Sequence, residues 1–99
     1  MSEAHDLQTV KEAESALDLL FDKYVAAEPA DQWLLKPVIS KASEELLTAR
    51  LALFKEGVLT KPEDLQQLQA IKDEIDGAAD IQSIIMGALK LAAFLGMFA

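Results

Sequence analysis

The chain has 99 residues, of which 17 are acidic and 9 basic, for a formal charge of -8, and 52% of it is hydrophobic. Such a composition excludes a disordered chain, while only 4 glycines and 3 prolines disfavour a turn-rich β protein. The acid excess argues against a nucleic-acid backbone as partner, since phosphate binding rests on basic residues that displace counterions, and it repels an anionic lipid surface.

Ala, Leu, Glu, Lys and Gln, all strong helix formers, together make up more than half of the chain. They predict an all-α fold in a single domain over 1–99: an antiparallel up-down bundle of three to four helices. Acidic amphipathic helices occupy 1–80 and an apolar C-terminal helix 81–99. The opening residues, M-S-E-A-H-D-L-Q, lack the basic and apolar stretches of a secretory signal, so the expected location is cytoplasmic.

The first helix is expected to begin near Ser2, with Glu3 and Asp6 favourably placed against its positive end. Val10, Ala13, Leu17, Leu20 and Tyr24 recur at three-four spacing and form a core-facing seam, widened by Phe21. Lys11, Glu12, Glu14, Asp18, Asp22 and Lys23 fall outside it as a solvated surface. Glu28 precedes Pro29 and is biased away from helical geometry, so the helix should end near Ala27.

Two prolines then compete. Pro29 suits the start of a helix and Pro37 its interruption, which predicts a short turn over 31–36 and a kink or restart at Pro37, with Trp33 plugging the end of the bundle. The second main helix carries Leu35, Ile39, Ala42, Leu46, Ala49 and Leu53 on its seam, flanked by Leu47, Leu51 and Phe54. Gly57, after Lys55, is the expected stop, and Val58-Leu59 the connection. Thr60 and Glu63 have capping-box spacing around Pro62, starting a third helix through Leu65, Leu68, Ile71 and Ile75. Short connections should make consecutive helices antiparallel neighbours.

At Asp76-Gly77 two outcomes stay open. The glycine can end the third helix, with Asp80 capping a fourth that folds back, or be tolerated inside one long rod whose far end needs other chains. The segment at stake, Ile81 to Ala99, contains no charge except Lys90. A bilayer-spanning helix needs about 20 consecutive apolar residues, and Lys90 interrupts this run halfway. Gln82, Ser83 and Lys90 share one side of it, and the wide remaining arc suits burial among helices.

Catalytic and metal chemistry lacks its residues. Reading Gly77 as the sixth position of a calcium loop puts Lys72 and Ser83 where carboxylates are required. His5 is the one histidine, no serine has a nucleophile setting, and the scattered glycines form no phosphate loop. No cofactor is expected.

The sequence therefore points to a non-enzymatic helical assembly or adaptor protein. Its expected interaction residues are Ile81, Ile84, Ile85, Leu89, Leu91, Phe94, Leu95 and Phe98, which either complete the core or dock with copies of the chain or another protein. The alternative is a small membrane-active or tail-anchored protein whose last helix enters lipid, membrane-associated rather than cytoplasmic.

Overall fold

The computed structural model describes residues 2–56 and 60–98, with side chains over 6–54 and 60–98. The described residues form four helices and no strand: α1 (Ser2–Ala26), α2 (Pro29–Glu56), α3 (Pro62–Gly77) and α4 (Ile81–Gly96). They pack into a body of 43 × 21 × 16 Å with a radius of gyration of 13.3 Å. Its long axis matches α2, whose 28 residues span about 42 Å at the helical rise.

The break after α1 follows the local chemistry. Pro29 opens α2 at the position where a missing N–H is harmless. The Tyr24 carbonyl, left over at the end of α1, accepts from the Ala27 N–H at 3.1 Å and from Gln32 Nε2 at 2.9 Å. Gln32 thereby ties the second helix to the end of the first.

The expected restart at Pro37 does not occur: α2 continues through it as one helix from Pro29 to Glu56. The bond that a proline at this position forfeits is the one to the Trp33 carbonyl, one turn from an exposed helix start. Leu35, Ile39, Ala42, Leu46, Ala49 and Leu53 are all buried. Their register is kept on both sides of Pro37, and burial of that continuous seam outweighs one lost hydrogen bond. Trp33 does not plug the bundle: it is 81% exposed. The Gly57 stop and the Val58-Leu59 connection lie outside the described residues.

The third helix starts one residue later than the spacing suggested. Lys61 is the extended cap residue, its N–H donating to Asp64 Oδ2 at 2.9 Å, with Pro62 at the first helical position. Thr60 is drawn inward instead, its backbone N–H donating to Asp6 Oδ1 at 2.8 Å, so that Asp6 and Thr60 are both buried where α1 and α3 begin. A long-range bond thus displaces the local box.

At Asp76-Gly77 the chain folds back. Gly77 is the last residue of α3, Ala78 turns extended (φ -70°, ψ 126°), and Asp80 caps α4 by accepting from the Ser83 N–H at 2.9 Å. Gly77 needs no left-handed conformation here, so the break rests on Ala78 and on the Asp80 cap.

Helix α4 packs most extensively on α2 and also on α3; α1 packs on α2 and α3. Consecutive helices α2 and α3 do not pack together, which departs from the expectation that short connections make neighbours. Asp6 lies against Thr60 and Lys23 against Ala78, setting α1 and α3 side by side with like ends together. The core joins all four elements through Leu20, Leu35, Leu68, Ile75, Leu91, Phe94 and Leu95, each almost fully buried. Small residues set the close approaches. A Cβ on Gly87 would stand 2.7 Å from Ile75 Cγ1, so α3 and α4 meet where only glycine leaves room.

Candidate interaction surface

The residues expected to interact, on α4 and in the turn just after it, divide by burial. Ile84, Leu91, Phe94, Leu95 and Phe98 are buried in this chain's own core; Ile81 and Ile85 are half-buried against it; Leu89 is exposed. Phe94 and Phe98 meet edge to face, with ring centroids 5.4 Å apart. Five of the eight can therefore touch a partner only if α4 leaves α2 and α3.

The polar stripe of α4 faces outward. Lys90 Nζ donates to Glu74 Oε1 at 2.8 Å, across a groove of about 440 Å³ whose floor is Ile71 and Phe94. Asp80, at the start of the helix, is held below the ordinary aspartate pKa by the Ser83 hydroxyl and then by the Ser83 N–H. On α2, the neighbouring Glu45 carboxylate raises the Lys41 ammonium, first through a hydrogen bond and then through its charge.

The larger outward apolar surface lies elsewhere, along α1 and α2. Val25, Trp33, Leu47, Leu51 and Phe54 are each more than half exposed, and Phe21 is only slightly less so. A groove of about 510 Å³ runs between the two helices, lined by Glu14, Leu17, Asp18, Leu46, Leu47 and Arg50. Arg50 and Glu14 face each other across it at 3.5 Å. A second recess of about 250 Å³, lined by Tyr24, Pro29, Gln32, Trp33 and Lys36, lies at the α1–α2 junction.

In the sequence Phe21, Leu47, Leu51 and Phe54 read as widening or flanking a seam and Trp33 as a bundle plug, while Val25 carries no signal of its own. The signal that separates them is angular. At about 100° per residue, Leu47, Leu51 and Phe54 stand well round from the Leu35–Leu53 seam, so one apolar arc on α2 exceeds what a single line of packing can cover.

Among the described residues, no group of three His, Cys, Asp or Glu side chains could hold a metal ion, and no helix is long and apolar enough to cross a membrane. No protein-family model matches the chain, and no curated protein or solved structure is significantly similar to it.

Proposed function

We propose that this chain is a non-enzymatic helical assembly or adaptor protein that works by docking to a protein, either its own copy or another chain. In this reading the helices form an up-down bundle closed by the apolar C-terminal helix, and α4 supports assembly from within. Ile84, Leu91, Phe94, Leu95 and Phe98 hold together the body that presents the docking surface, and Leu89 adds to that surface from outside. The carrying observation is the set of large apolar side chains facing outward on α1 and α2, above all Trp33 at 81% exposure. Large aromatic and aliphatic side chains exposed together are the usual mark of a surface that another protein covers.

Light scattering of the intact chain over a concentration series tests the reading. The expected result is a mass above the 10.8 kDa of one chain, rising with concentration. Replacing Phe94 by Glu should unfold the chain, whereas a polar change on the outward face should release mass and leave the helices intact. A chain that stays monomeric throughout would exclude its own copy as the partner and leave docking to another chain, and one that turns over a small-molecule substrate would overturn the proposal.

A further inference from the structure

The outward face also specifies a partner, an inference that rests on the assembly reading. Its large exposed apolar side chains fall into two clusters along α1 and α2. Phe21, Val25 and Trp33 stand toward the α1–α2 junction, and Leu47, Leu51 and Phe54 toward the far end of α2. Leu47 lines the groove together with Leu17, and Phe21 follows Leu17 by one helical turn on the same side. Trp33 lines a separate recess beside Tyr24. Between the two clusters lies a polar waist of Asp18, Ser40, Ser43 and Glu44.

We propose that a second copy of this chain covers this face, related by a two-fold axis that crosses α2 near Ser43 and Glu44. The Trp33 cluster of each copy then seats on the Leu51 cluster of the other. Rotation about such an axis exchanges the two clusters, so apolar side chains meet apolar side chains, while the Asp18 and Glu44 carboxylates of the waist face their own copies and need screening. Trp33 and Phe54 are separated by about 31 Å along the helix, and the midpoint falls at Ser43 and Glu44.

The area suffices. Phe21, Trp33 and Phe54 are 44%, 81% and 61% exposed. With aromatic side chains burying 150–250 Å² each, the three offer roughly 350 Å², nearly half of the ~800 Å² that each partner contributes to a stable interface. Val25, Leu47, Leu51 and the groove walls add to it. A charge of -8 on each copy opposes the encounter, so screening by salt should tighten this dimer, whereas salt would loosen the hold of a basic partner.

Three forms of the full chain test the proposal: unmodified, Leu51→Glu, and Glu44→Cys treated with a short thiol crosslinker. Gln66→Cys, on an exposed position of α3, serves as control, and the absence of native cysteine makes each engineered thiol unique. Sedimentation equilibrium should show a dimer that tightens with added salt and is weakened at least ~tenfold by Leu51→Glu, with the helical circular dichroism unchanged. Glu44→Cys should crosslink to itself and Gln66→Cys should not. Should Leu51→Glu lose its helices, Trp33→Ser repeats the comparison at a more exposed position. An assembly indifferent to both changes, or one crosslinked through Gln66→Cys alone, overturns this face while leaving the assembly reading in place. A chain that is monomeric at every concentration and salt level overturns this dimer together with the self-association form of the assembly reading, and leaves docking to another chain.

Discussion

The ammonium of Lys23 on α1 donates to the carbonyl of Ala78 at 2.8 Å and to that of Asp76 at 3.2 Å. These carbonyls lie at the end of α3, where no intrahelical donor remains, and a cation there also meets the negative end of the helix. Lysine thus serves as a cap delivered from a neighbouring helix, and it locks the turn that lets α4 fold back.

Lys23→Met should keep the aliphatic packing and lose the cap. A charged hydrogen bond in a half-buried setting, discounted for solvent, is worth about 1 kcal/mol. The expected outcome is a lower urea midpoint with an unchanged slope, and hydrogen exchange that speeds up first near Ala78. Lys23→Arg should recover most of the loss. An unaltered midpoint in Lys23→Met would show that water caps the helix equally well.

Two glycines should respond to alanine with opposite signs. At Gly77 nothing lies within 4 Å of an added Cβ and the residue is helical, so Gly77→Ala should stabilise by about 0.4–1 kcal/mol through the unfolded chain. At Gly87 the new methyl group would meet Ile75 Cγ1 at 2.7 Å, and Ile75 is fully buried. Overpacking there should cost about 1–3 kcal/mol, only partly offset by alanine's helix preference. Denaturant curves for both variants, together with a cycle that adds Ile75→Ala to Gly87→Ala, check the assignment. The double variant should lose less than the sum of the two single changes.

Core and surface positions of the apolar helices should separate cleanly. Phe94 is 1% exposed, and Phe94→Ala should cost about 3–5 kcal/mol. Leu51, at 63% exposed, should tolerate serine within about 0.5 kcal/mol. Thermal unfolding measured at a concentration low enough to keep the chain dissociated compares the two. Equal losses would mean that the outward face of α2 is covered within one chain.

The Asp80 cap carries a pH signature. Its carboxyl titrates below the ordinary aspartate value because the Ser83 hydroxyl and N–H favour the charged form. A folded-state pKa that is depressed means the carboxylate's contribution is fully present above the ordinary aspartate range and fades as the pH falls through the lowered value. Asp80→Asn keeps an acceptor for the Ser83 N–H and removes the titration, so its stability should decline less steeply in that acid window. Parallel slopes for the two proteins in urea titrations across the window would remove Asp80 from the account of acid unfolding.

How much of this was legible depended on whether the signal was local. The seam from Leu35 to Leu53, the stop at Glu28-Pro29 and the Asp80 cap could all be read from spacing and residue type. Each depends on helical periodicity or on bonds within a turn. Spacing places the start of α3 one residue too early, because the bond from Thr60 to Asp6 joins residues 54 apart and spacing alone sees only Thr60 and Glu63. Of the interaction residues, Leu89 stayed on the surface, whereas Leu91, Phe94 and Leu95 entered the core.

By itself, the order of the residues determined an all-helical chain, the stripes each helix has to bury, and the need to shelter the apolar end after Asp80. Only the tertiary arrangement decided that α2 continues through Pro37, that Trp33 points outward, and that α4 rests on α2 while α2 and α3 stay apart. The physical reason is that a helical repeat states how much apolar surface must leave water, but not which neighbour will cover it. That choice belongs to the sum of packing, close approach at residues such as Gly87, and hydrogen bonds formed between distant parts of the chain.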